Sequence, residues 1–179
     1  MPFTARAAAE VAGVAPLEAA AVADGLGRLA EQSLLAVTPS ATGTRYQVLE
    51  TIRQYGTERL AEAGELTDVR SRHLAWCLAS AAGLGEDGGA DWRARFDAVA
   101  EDLRAALTWA ADRAERRADA CALALSLAGL AFTRNLLGEA QQRYEQAAGL
   151  AEDTGDAAAG AAALRQAAGV AGCRRLGDD

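Results

Sequence analysis

The sequence predicts a mainly α-helical protein that carries a single β-hairpin. Hydrophobic residues make up 51% of the 179-residue chain but aromatics only 5%, so the apolar content is mostly alanine and leucine, strong helix formers with little strand preference. Apolar residues recur at steps of three and four along most of the chain, the spacing of one helix face. Only residues 34–48 depart from this, with two short β-capable runs around a turn-rich loop. The length suits one large or two small domains.

Taken in order, Thr4 caps a short helix that ends near Gly13, and Pro16 sits in the first turn of the next, where proline is tolerated. That second helix is expected to bury Leu17, Ala20, Ala21, Leu26 and Leu29 and to end near Gln32. Leu34 to Thr38 and Thr44 to Val48 then flank the turn-rich residues 39–43. Two helices followed by a hairpin is the order of a winged helix, with the hairpin as wing.

From Leu49 the helical period returns, with Leu49, Ile52, Gly56, Leu60 and Ala63 on one face and Gly64 at the stop. Thr67 opens a helix through Leu74, Leu78 and Ala81. Residues 83–90 are glycine-dense, lack an apolar face and read as a linker or hinge. Asp91 caps a helix whose stripe is Trp92, Phe96, Val99, Leu103, Leu107 and Ala110. Charged residues between Asp112 and Asp119 mark a turn, and residues 120–132 form a helix apolar all round that must lie between neighbours. Two further helices, about 138–152 and 156–173, end the chain, the last without a visible partner.

Charge and chemistry narrow the function. There is no lysine, and 18 arginines face 25 acids for a net charge of −7, which opposes phosphate backbones overall. Cys77, Cys121 and Cys173 form no CxxC pair or disulfide framework and read as buried thiols of a cytoplasmic protein. The N-terminus lacks the apolar run of a signal peptide, and no stretch approaches the roughly 18 apolar residues that span a bilayer. Gly83-Leu84-Gly85-Glu86-Asp87-Gly88 is a literal GxGxxG, but it follows a helix and carries two acids. No GxxxxGK[ST] exists, and His73, the only histidine, has no second metal ligand at suitable spacing. Glu58, Glu62 and Glu65 share a helix with Arg53 and Arg59 as on a solvated face. No catalytic, cofactor or metal site is therefore predicted. Arg45, Arg53, Arg59, Arg70 and Arg72 could form a DNA-contacting patch, but Glu50, Glu58, Glu62, Glu65 and Asp68 offset their charge. Trp76, Trp92 and Trp109 read as inter-helix anchors.

Residues 45–65 resemble a signature of bacterial multidomain regulators, the SARP/AfsR-like and LuxR-type transcriptional regulators that contain an NB-ARC ATPase of the STAND class. The matching positions include Arg45, Tyr46, Leu49, Glu50, Thr51, Ile52, Arg53, Tyr55, Glu58, Arg59 and Leu60. Trp92, Phe96, Leu103, Leu107 and Trp109 follow in the order of the same family's next helix, with Glu101-Asp102 where its pattern has Asp-Asn. Ala140, Tyr144 and Ala147 match the small–aromatic–small spacing of a tetratricopeptide (TPR) second helix, with Asn135 in the turn-glycine place and Glu152 replacing the terminal proline.

The resemblance implies a partial winged-helix module over residues 1–66, a connecting helix and linker over 67–90, and a truncated array of TPR-like α-helical hairpins over 91–179. It implies a coupling segment between a nucleotide-binding ATPase domain and a helical sensor array. The implied partner is a protein or the ATPase domain of the same regulator, with DNA reached only weakly or through other domains, no membrane, and self-association open to the C-terminal helices. Two rival readings stay open, a stand-alone TPR-like adaptor and an independent winged-helix DNA binder.

Overall fold

The computed structural model describes residues 2–13, 17–40, 43–86, 89 and 91–177. Its elements are β1 (Pro2–Thr4), α1 (Ala5–Ala12), α2 (Ala19–Glu31), β2 (Leu35–Ser40), β3 (Gly43–Val48), α3 (Glu50–Glu62), α4 (Leu66–Glu86), α5 (Trp92–Ala111), a 3-10 turn (Ala114–Arg116), α6 (Arg117–Thr133), α7 (Leu137–Asp153) and α8 (Ala157–Gly177). The fold is mainly α with one small antiparallel sheet. By its contacts the chain divides into two units, Met1–Trp76 and Cys77–Asp179, with the division inside α4.

In the first unit the sheet has the order β1-β3-β2. Leu35 pairs with Val48 and Ser40 with Gly43 across the hairpin, whose turn residues Ala41 and Thr42 lie outside the described residues. The expected hairpin is therefore present, and β1 is an addition that sequence reasoning did not supply. Three residues are too few to show a period, and β1 exists only by pairing Phe3 with Tyr46. Thr4 caps α1 as expected, its Oγ1 accepting the Ala7 amide at 3.1 Å.

The core of this unit is Val22, Leu26 and Leu35, with Phe3, Tyr46, Val48 and the alanines of α1 packed against it. This corrects the expected face of α2, because Leu17 and Leu29 are exposed, as are Ala20 and Ala21. The sheet and α1 select the face one turn-phase away, on which Val22 and Leu26 stand at i and i+4. Pro16 lies outside the described residues. The first half of α4 is tied to α1 by Arg72 Nε donating to the Val11 carbonyl (3.0 Å) and by the Trp76 indole donating to Glu10 (2.8 Å).

Helix α4 continues through Gly83, Leu84 and Gly85, which the sequence assigns to a linker. Leu84 is buried and its carbonyl accepts the Trp92 indole N–H at 2.9 Å, contacts that outweigh the weak helix propensity of the flanking glycines. Residues 87, 88 and 90 of that segment lie outside the described residues.

The second unit is a run of antiparallel neighbours, α5 on α6, α6 on α7 and α7 on α8. Helix α6 buries Ala120, Leu123, Ala124, Leu127, Ala128, Leu130 and Ala131, as its all-round apolar sequence requires. On α5 the predicted stripe holds, with Phe96, Leu103, Leu107 and Ala110 buried and Trp92 and Val99 half-buried. Asp91 precedes α5 but makes no side-chain cap bond. Asn135 adopts φ +66° between α6 and α7, and Gly155 φ +76° between α7 and α8. Asn135 thus supplies the left-handed turn residue that glycine usually does.

Candidate protein-docking surface

The family-like signature divides at Leu49. Its first part builds the sheet: Arg45 sits between Thr4 and Thr38, and Tyr46 stacks on Phe3 at 6.0 Å between centroids. Its second part builds α3, a helix with no buried residue. Leu49 is 57% exposed and Tyr55 59% exposed, and Ile52, Gly56 and Leu60 are half-buried. Of the face expected to be covered, Leu49 and Ala63 are therefore exposed and the other three residues only half-buried.

Both arginines of α3 are already paired within the helix. Arg53 is held by Glu50 through two hydrogen bonds, one of 2.9 Å, and the arginine holds the Glu50 carboxyl below its usual range. Arg59 pairs with Glu62 and lies over the Tyr55 ring at 5.4 Å. The Thr57 hydroxyl donates to the Arg53 carbonyl, while Thr51 and Glu58 are exposed. With Arg72 engaged by Val11, three of the five arginines proposed as a phosphate-binding patch are committed elsewhere. Helix α2, second in the helix–helix–hairpin order, exposes alanines, Asp24 and Glu31 beside its single Arg28, a poor match to phosphate.

The other sequence-selected residues lie in the second unit. Leu103 and Leu107 join Phe96 in its core, and Trp109 lies under the Arg113 guanidinium at 4.4 Å. Ala140 and Ala147 are buried, and Tyr144 packs with Leu137 against the cluster of Ala131, Ala140 and Val170 that joins α6, α7 and α8. Sequence reasoning missed Arg104, whose guanidinium joins α5 to α7 through Glu139 with both Nε and Nη2 contacts at 2.6 Å. Its signal was the opposite charges at Glu101, Arg104, Glu139 and Arg143, but their pairing runs between helices far apart in sequence.

The supposed nucleotide motif begins within α4, with Gly83 and Gly85 helical, and the element before α4 is helix α3 and not a strand. His73 stacks on Trp76 at 6.0 Å. Among the described residues no group of three or more His, Cys, Asp and Glu is placed to hold a metal, and no helix is long and apolar enough to cross a membrane. The thiols differ from expectation, since Cys77 is buried but Cys121 is only partly so and Cys173 is exposed.

Fold and surface thus define a mainly helical module that carries an exposed helix, α3. Three curated proteins, one from Mycobacterium bovis and two from strains of Mycobacterium tuberculosis, each provisionally named an HTH-type transcriptional regulator, are 34% identical to this chain over 140 residues. The match covers 76% of this chain but 16% of each relative, so the chain spans about a sixth of the length of the curated relatives it matches. Over that segment the chain is a relative of transcriptional regulators. No family model matches it, and no solved structure matches it.

Proposed function

We propose that this chain is a non-catalytic coupling segment of a multidomain bacterial transcriptional regulator of the NB-ARC-containing class. In this reading the module of residues 1–66 docks on a nucleotide-binding ATPase domain of the same regulator, and the TPR-like helices of residues 91–179 serve as its sensor array. The observation that carries it is α3: the helical part of the family-like signature has no buried residue, with Leu49 and Tyr55 exposed and its arginines already paired. A helix of about 13 residues is marginal in water without tertiary packing, so a partner covering this face would stabilise it. The small share of the relatives that the chain spans supports a role within a larger assembly.

The test is to express the segment encoded immediately upstream, mix it with this chain, and follow amide exchange at residues 49–60. Exchange is expected to slow in the mixture, and Tyr55→Ala with Leu49→Asp should abolish the effect while leaving the melting of this chain unchanged. Upstream DNA with no GxxxxGK[ST] codons in frame or one frameshift away, or unchanged exchange, overturns the reading. A second reading, a stand-alone adaptor that self-associates through α8, draws on Leu164, 48% exposed on that helix. A molecular mass that rises with concentration would support it over the first.

A further inference from the structure

The second unit contains a groove of about 680 Å³ between the last turns of α4, the first turn of α5 and the C-terminal half of α6. That volume falls within the range of small-molecule sites. Its wall is preorganised: Trp92 is fixed by its indole bond to the Leu84 carbonyl and stacks on the fully buried Phe96 at 5.7 Å with nearly parallel rings. Leu84, Leu125 and Leu130 add apolar surface, while Ser126 and Thr133 make the lining mixed. Among the described residues Arg93 is the only charged side chain that lines the groove, and no carboxylate among them pairs with it. The nearby acids of α5 are engaged, Asp97 with Arg134 and Glu101 with Arg104.

We propose that this groove binds an amphipathic organic anion, its apolar part against Trp92, Leu84, Leu125 and Leu130 and its acid group on the Arg93 guanidinium. The charge complement decides the chemical class. A guanidinium on a groove walled by Trp92 and leucines favours a carboxylate over a cation or a neutral lipid. The groove would give the helical array a signal to sense, and in that respect the proposal rests on the sensor-array reading above. Ligand binding itself can be measured on this chain alone.

The experiment is a titration of the full 179-residue chain with decanoate, decanol and decyltrimethylammonium, all below micelle formation, followed by the Trp92 indole and Ser126 amide resonances. Decanoate should give saturable shifts at both positions, with Kd raised about tenfold by Arg93→Gln and at least as much by Ser126→Phe, which fills the groove. Equal affinity for decanoate and decyltrimethylammonium, indifference to Arg93→Gln, or no saturation at millimolar decanoate overturns the site. Saturable, Arg93-dependent binding by a chain with no upstream ATPase would uphold the site and sink the sensor role, so the two failures are distinguishable.

Discussion

Arg104 on α5 grips Glu139 on α7 in a bidentate pair, Nε to Oε1 and Nη2 to Oε2, both at 2.6 Å. Both helices pack on α6, and this pair joins them to each other directly. The two side chains are 27% and 17% exposed, so the pair is shielded enough to matter and wet enough at its edge to limit its desolvation cost. Glu101 and Arg143 extend it, the latter with Nε 3.8 Å from Glu139.

Glu139→Ala removes the acid that Arg104 and Arg143 share and leaves Arg104 only its pair with the more exposed Glu101. It is expected to cost about 2–3 kcal/mol, below the roughly 3–5 kcal/mol of a fully buried pair because this one is partly exposed. Glu139→Gln, which keeps one acceptor, should cost less. Urea unfolding of the full chain measures both, and an unchanged midpoint for Glu139→Ala would refute the link.

The same pair predicts acid sensitivity. Hydrogen bonding from Arg104 lowers the pKa of Glu139, and Arg134 lowers that of Asp97 in the same way. A carboxyl whose folded pKa lies below its unfolded value contributes stability that is fully present above the unfolded value and is lost as pH falls through the folded one. Stability should therefore be flat from pH 8 to about 5 and decline below the ordinary glutamate value of 4.5. Thermal melts of the wild type and Glu139→Gln across this range check it, with a shallower acid decline expected in the variant.

The thiols should separate by reactivity. Burial, with a smaller contribution from Asp102, pushes Cys77 up to about 12, so it carries almost no thiolate at neutral pH. An aromatic disulfide reagent should label exposed Cys173 rapidly and reach Cys77 only in denaturant. Labelling of both at one rate in the native protein would contradict the packing of α4.

Packing in the second unit predicts a contrast between two leucines. Leu127 is fully buried in α6, and Leu127→Ala should cost about 3 kcal/mol through lost burial and the cavity left behind. Leu164 is 48% exposed, so Leu164→Ala should shift stability by less than about 0.5 kcal/mol. Differential scanning calorimetry of the two variants distinguishes them.

Much of the local structure was legible because short-range chemistry determines it. Thr4 as a cap, Gly64 (φ +75°) as a helix stop, and the stripe of Phe96, Leu103 and Leu107 all follow from neighbours within one or two helical turns. Asn135, an unusual residue for φ +66°, was placed at a turn by the resemblance to a tetratricopeptide repeat. The errors share a different origin. Strand β1 needs β3, the face of α2 is chosen by the sheet, and the continuation of α4 past Gly83 depends on Trp92 reaching back to Leu84.

The sequence by itself determined the helical class, the place of the hairpin and several of the turns, because composition, period and capping act locally. Only the tertiary structure decided which faces are covered, that α3 offers Leu49 and Tyr55 to solvent, and that Arg104 finds Glu139 35 positions away. Burial and ion pairing depend on which elements meet in space, and an amphipathic pattern records that a face is apolar without recording what lies against it.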